Sequence, residues 1–282
     1  MTDLLGTIVE NARRRCAERM RRVPESELLR QVDDAEPPRS LYAALDGRFS
    51  VIAEHKRRSP SGGGMNADNL SRALDVYAAA DWVSAISVLT DEDYFSGSLG
   101  DLQAARKKAG GRPVLRKDFI VEEYQVLEAR AFGADAFLLM TALFSDAPDR
   151  LRALFELGRS LGMDALFEIG EQDRPAAELA QCIPNDARIW GVNSRKFENE
   201  TANGAANAAN GRDASTSLLR HASLLRLVPE GKIAVAESGI LDAADLRTTR
   251  DAGYHAALIG TAFLKGPRPI EAVARELAGV FV

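Results

Sequence analysis

The sequence predicts an α/β fold: a (β/α)8 TIM barrel over residues 49–282, preceded by an N-terminal helical extension over residues 1–48. Three observations carry this. From residue 49 onward, short apolar runs alternate with longer amphipathic segments, and strands that alternate with helices assemble into a parallel sheet. There are eight such runs, and eight strand–helix units in about 230 residues is the size of a closed barrel. None of the runs leads into G-x-G-x-x-G, the glycine fingerprint of a doubly wound dinucleotide-binding sheet.

The extension comes first. Leu4, Leu5, Ile8 and Val9 recur at helical spacing, "ARRRCAERMRR" supplies a charged face, and a second helical stretch follows Ser26. The strand runs are then FSVIAEHK (49–56), VSAISVLT (83–90), PVLRKDF (113–119), DAFLLMT (135–141), DALFEIG (164–170), IWGVNSR (189–195), KIAVAES (232–238) and AALIGTA (256–262). Segments such as NLSRALDVYAAA, LGDLQAARKKAG, VLEARAFGA, RLRALFELGRSLGM and ADLRTTRDAGY lie between them. They have helical periodicity, and several end near a glycine. After Arg195, the stretch KFENETANGAANAANGRDASTS is too polar and too poor in large side chains to pack. It reads as a mobile insertion in one strand-to-helix loop, with a lid over the barrel mouth as the alternative.

Composition narrows the function. With 46% hydrophobic residues in 282, a large core is available. A net charge of −5 argues against nucleic acid or an acidic membrane as partner. Any bound anion must therefore be held by locally placed cations. Cys16 and Cys182 show neither metal spacing nor a disulfide framework, as expected in a reducing compartment. No signal-type apolar core and no membrane-length run is present, so the expected location is cytoplasmic. The oligomeric state is not legible, and a monomer is the default expectation.

In such a barrel, chemistry sits at the C-terminal ends of the strands. The first run ends in Glu54 and Lys56, two residues apart and hence on the same face of the sheet. The third ends in Lys117 and Asp118, the fifth in Glu168, and the sixth in Asn193 and Arg195. The seventh ends in Glu237-Ser238-Gly239 and the eighth in Gly260-Thr261. One charged strand end is an ordinary solvated boundary. Five or more that turn polar at the last inward position would converge on one cup of lysines and carboxylates, a setting that tunes such groups for proton transfer. Small residues at the seventh and eighth ends expose backbone N–H groups, as at the usual phosphate site of these barrels. The Ser59-Pro60-Ser61-Gly62 turn would lie next to them across the closure of the ring, although taken alone it reads as a plain flexible turn.

The motifs IAEHKRRSPSGG, SVLTDEDYFSGSLGDL, PVLRKDFIVEEYQVLEARAFGADAFLLM, LGMDALFEI, GVNSRKF, VAESGI and ALIGTAFL, in this order, closely resemble those of the indole-3-glycerol phosphate synthase family. The resemblance spans about residues 50–265, and the helical extension fits it too. It implies a carboxy-lyase of tryptophan biosynthesis that acts on a small molecule, 1-(2-carboxyphenylamino)-1-deoxyribulose 5-phosphate, and needs no metal or organic cofactor. Carried over position by position, it implies a catalytic set of Glu54, Lys56, Lys117, Glu168, Asn193 and Ser238. Phosphate contacts would fall on Lys56, Ser59, Gly239, Gly260 and Thr261, with Arg195 and Glu237 at the substrate site. Phe95 and Phe119 match the aromatic pocket for the anthranilate ring. Two other readings are a sugar-phosphate isomerase on a similar barrel and a non-catalytic phosphate-binding paralogue. The isomerase needs a strand-end cysteine, which this chain lacks; the paralogue predicts a missing cup charge, and none is missing. His55 departs from the family pattern and is expected to be a neutral, hydrogen-bonded core histidine facing the helix layer. His221 and His255 are expected to lie outside the cup and carry no assignment.

Overall fold

A computed structural model describes residues 4–59, 63–170, 174–194 and 221–281. Eight parallel strands form a closed barrel: β1 (Ser50–His55), β2 (Val83–Leu89), β3 (Val114–Lys117), β4 (Ala136–Met140), β5 (Asp164–Gly170), β6 (Ile189–Asn193), β7 (Ile233–Glu237) and β8 (Ala256–Ile259). Each pairs with the next in chain order, and β8 closes onto β1 through Ser50–Ala256 to Ala53–Ile259. Every run read as a strand from its apolar character contains one of these strands. Short β-strands at Arg58–Ser59 and Gly63–Gly64 form a small antiparallel ribbon after β1.

Strand side chains alternate between faces, and this divides the core in two. Inward residues form one cluster: Ile52, Ala85, Leu115, Ala136, Leu138, Leu166, Ile189, Ile233, Val235, Ala256 and Leu258. Outward residues such as Val51, Ala53, Phe137, Phe167 and Val192 join a larger cluster with the surrounding helices.

The N-terminal end of the barrel is plugged. Helices α1 (Leu4–Arg22), α2 (Glu25–Asp34) and α3 (Leu41–Leu45) precede β1. Leu41 and Leu45, one helical turn apart and therefore on one face, are fully buried in the inner cluster. Ser40 caps α3 by accepting from Ala43 N–H at 3.1 Å. Asp164, the first residue of β5, accepts from Ser40 Oγ and Tyr42 N–H, each at 3.0 Å. With this end filled and tied down, the opening lies at the C-terminal ends of the strands. The residues before β1 thus share the barrel's inner core.

Helix α1 crosses the outer layer. Cys16 is buried with Leu28, Tyr124 and Leu127, and Arg19 Nε donates to Glu128 Oε1 at 2.6 Å. No helix among the described residues is long and apolar enough to cross a membrane.

Candidate active site

Following each strand's inward parity toward its C-terminal end leads out of the apolar cluster into a polar cup. Ile52 is succeeded by Glu54 and Lys56, Ala85 by Ser87, Leu115 by Lys117, and Leu166 by Glu168. Ile189 is succeeded by Gly191 and Asn193, Val235 by Glu237, and Leu258 by Gly260. Glu54, Lys56, Glu168, Asn193 and Glu237 are all buried, and Lys117 nearly so. A buried charge is tolerable only when paired, and these are paired with one another.

Lys117 is the centre of the cup. Its ammonium donates to Glu168 Oε2 at 2.9 Å and to Glu237 Oε2 at 2.8 Å. The other Glu168 oxygen, Oε1, accepts from Asn193 Nδ2 at 3.2 Å. Thr141 Oγ1 donates to the backbone carbonyl of Glu168 at 2.7 Å. Lys56 pairs with Glu54 Oε1, and the buried Tyr77 hydroxyl donates to the Glu54 carbonyl at 3.1 Å. A β-carbon at Gly260 would collide with the Glu54 carboxylate, and one at Gly191 with Glu237 Oε1. Both glycines are therefore space for carboxylates.

The charges in the cup separate the two glutamates. Burial alone would discharge Lys117, but Glu168, Glu237 and Glu54 outweigh it and hold its pKa above the ordinary lysine value. Burial also opposes ionisation of Glu168, yet the Lys117 ammonium and the hydrogen bonds from Lys117 and Asn193 bring its pKa below the usual carboxylate value. Glu237 is pushed up to about 8: burial and the Glu168 charge exceed the pull of Lys117, and its Oε1 is buried with no hydrogen-bond partner. Near neutral pH the cup thus holds an ammonium, an ionised carboxylate and a carboxyl poised to change charge, the combination that supports acid–base work.

Around this centre, Ser238 and Gly239 follow β7 with φ of 70° and 74°. Gly260 caps a short helix, Thr261–Leu264, after β8. Ser59 is buried in the ribbon after β1. These three loops adjoin because β7, β8 and β1 are neighbours in the ring. Phe95, at the end of the short helix Glu92–Phe95, lies 6.2 Å from Phe119 between ring centroids. Tyr94 makes an edge contact with the same Phe119 ring at 5.7 Å. Arg195, the Ala/Asn/Gly-rich insertion and Pro60-Ser61-Gly62 lie outside the described residues.

One sequence expectation changes. His55 is buried, and burial depresses its pKa against the opposing charge of Asp101 in the helix Leu99–Lys108, in keeping with a neutral ring. It is not fully hydrogen-bonded, however: its Nδ1 has no partner. His221 sits in the helical residues before β7, with Nε2 3.0 Å from the backbone carbonyl oxygen of Ser238. His255 is engaged elsewhere, accepting from Ala234 N–H at 3.1 Å. Gly191 escaped the sequence reading altogether, although a glycine inside the apolar run IWGVN was the available signal for a close approach.

The sequence model of the family described as "Indole-3-glycerol phosphate synthase" matches residues 5–277. Several relatives carry that same name. One from Arthrobacter sp. is 39% identical over 98% of this chain and 96% of its own. One from Verminephrobacter eiseniae is 38% identical over 99% of this chain and 100% of its own. One from Lachnospira eligens is 35% identical over 96% and 95%.

Proposed function

Because the chain belongs to the indole-3-glycerol phosphate synthase family, we propose a division of labour in the cup for that family's reaction. The reaction closes the ring of 1-(2-carboxyphenylamino)-1-deoxyribulose 5-phosphate and expels CO2 and water, giving indole-3-glycerol phosphate. The enzyme is a carbon–carbon lyase of tryptophan biosynthesis.

Lys117 is the acid of ring closure. An ammonium has three N–H donors; Glu168 and Glu237 take two of them, leaving the third for the substrate's ketone oxygen. As the aryl carbon attacks the ketone carbon, negative charge develops on that oxygen, and Lys117 supplies the proton. A positioned acid of this kind contributes on the order of 10²–10⁴-fold. Loss of CO2 then returns its bonding electrons to the ring and restores aromaticity; the cup's part is to keep water from solvating the departing carboxylate. Dehydration needs one group to protonate the leaving hydroxyl and another to accept a proton from the new ring. Glu168 and the Glu54–Lys56 pair carry these two transfers between them. Asn193 and Ser238 orient, since neither titrates near neutral pH.

Phosphate is assigned to the adjoining loops after β7, β8 and β1, with Ser59, Gly239, Gly260 and Thr261 as its backbone and hydroxyl contacts and Lys56 as a cationic contact. The anthranilate ring is assigned to the Phe95–Phe119 pair, and Arg195 to the substrate-site rim. The cytoplasm is the proposed compartment, supported by two free cysteines without a disulfide framework.

The observation that supports this reading most directly is the Lys117 ammonium shared between Glu168 and Glu237 in the buried cup above the barrel's apolar core. The test is to incubate the purified protein with the substrate, without added metal, and follow indole fluorescence. No product at high enzyme concentration would overturn the reading.

A further inference from the structure

His221 and Ser238 meet where the phosphate contacts were assigned. Ser238 is one of two non-glycine residues with positive φ among the described residues, at 70°, and Gly239 after it is at 74°. A serine at positive φ is strained and persists only where its surroundings fix the backbone. His221 holds it: Nε2 lies 3.0 Å from the Ser238 carbonyl oxygen. A carbonyl only accepts, so Nε2 carries the proton and donates. The ring is itself fixed. It is buried, stands edge-on to Tyr254 with centroids 5.6 Å apart, and has Nδ1 3.3 Å from the Tyr254 hydroxyl. That hydroxyl donates to the His221 carbonyl at 2.9 Å.

In a trans peptide the C=O and N–H bonds point in opposite directions. His221 belongs to helical residues 221–225, which precede β7 in the outer layer. A Ser238 carbonyl turned outward toward His221 turns the Gly239 N–H inward, toward the barrel mouth. We propose that His221 is a positioning residue for the substrate phosphate: through the Ser238 carbonyl it sets the direction of the Gly239 N–H that the phosphate accepts. The inference rests on the assignment of phosphate to this loop.

The experiment compares KM, kcat and competitive inhibition by inorganic phosphate for the wild type, His221→Ala, His221→Gln and Tyr254→Phe, with a melting temperature for each. Losing one neutral hydrogen bond should raise KM and the phosphate inhibition constant together, roughly three- to tenfold in His221→Ala. kcat should stay put, the pattern of binding lost equally from ground and transition states. His221→Gln, whose amide can still donate, should recover most of the loss. Tyr254→Phe keeps the Nε2 donor but loosens the ring, and should show a smaller rise in both constants; it keeps the question open to test if His221→Ala does not fold. Unchanged constants, a fall in kcat at constant KM, or a glutamine variant no better than alanine would overturn the positioning role. Failure of phosphate to compete with substrate in the wild type would overturn the phosphate assignment, and the inference with it.

Discussion

Gly191 and Glu237 share a space that holds only one side chain: a β-carbon on Gly191 of β6 would overlap Glu237 Oε1, while Leu166 Cδ1 at 3.4 Å would only be touched. The glycine is thus part of what aims Glu237 at Lys117, 2.8 Å away. Gly191→Ala should overpack this site, costing about 1–3 kcal/mol of stability and lowering turnover by displacing the carboxylate. The check is a double-mutant cycle in urea unfolding. With Glu237→Ala already in place, the added methyl has room, so the two costs should fall short of additive. Full additivity would show that the glycine serves something other than the carboxylate.

Lys117→Met should leave a protein that binds substrate and fails to close the ring. The methionine fills the stem's volume without offering a proton, so turnover should drop on the order of 10²–10⁴-fold while affinity changes little. Removing the ammonium also strands two carboxylates in a buried site. One must then take a proton, and burial with mutual repulsion should carry Glu237 higher still. Stopped-flow indole fluorescence gives the rate and calorimetry the affinity. Turnover within a few-fold of wild type would remove Lys117 from the acid role.

The barrel and much of the cup can be read from the chain because side-chain parity within a strand is a local property. Glu54 and Lys56 are two residues apart, and so are Leu115 and Lys117, or Leu166 and Glu168; each polar group continues a visible apolar face. The partnership of Lys117 with Glu237 is not local. β3 and β7 stand on opposite sides of the ring, and their side chains meet only because strand tilt and stagger bring both to the same depth. Glu237 was accordingly expected at the substrate site, with no hint of its hold on Lys117. The His221–Ser238 contact is less legible again. It joins a helical side chain to a backbone carbonyl whose direction depends on a φ of 70° at Ser238, and a serine codon announces no left-handed conformation. His55 shows the opposite limit: burial follows from its place in β1, but the missing partner of Nδ1 depends on what the helix layer happens to present.

Stability should fall between pH 7 and 8, and Glu237 should be the cause. Its pKa rises from 4.5 in the unfolded chain to about 8 in the folded one, so the folded state binds the extra proton. The stabilisation is complete below the unfolded value and is lost as pH rises through the folded one. Asp91, raised by burial from 3.8 to about 7, adds a loss of the same sign at lower pH. His55, whose pKa burial lowers from 6.5, acts in the opposite direction there. Above pH 7 Glu237 is therefore the larger contributor, with an expected loss of about 1 kcal/mol across that unit, and Asp91 adds a smaller loss of the same sign as its last protons leave. Urea unfolding at pH 7.0, 7.5 and 8.0 reads it (roughly half-unit steps resolve such a slope), and Glu237→Gln should remove most of the slope, leaving the smaller part that belongs to Asp91. A wild-type profile already flat would mean that Glu237 ionises in the ordinary carboxylate range.

The extension should matter to substrate affinity through a route that never touches substrate. Arg15 of α1 donates to Asp93 Oδ1 at 2.6 Å, and Asn11, one turn earlier, donates to the Tyr94 hydroxyl at 3.2 Å. Asp93 and Tyr94 sit in the four-residue helix that ends in Phe95, so α1 clamps the element carrying half of the aromatic pair. A helix that short has little stability of its own. Arg15 is partly exposed, which limits the global cost of losing the pair to less than about 1 kcal/mol. Arg15→Ala should therefore raise KM several-fold while barely moving the unfolding midpoint or kcat, since Lys117 and its carboxylates lie on strands that α1 does not hold. Adding Asn11→Ala should deepen the KM effect. If KM stays constant in the double variant, the aromatic pair is held by the barrel alone, and the contacts from α1 serve only to dock the helix.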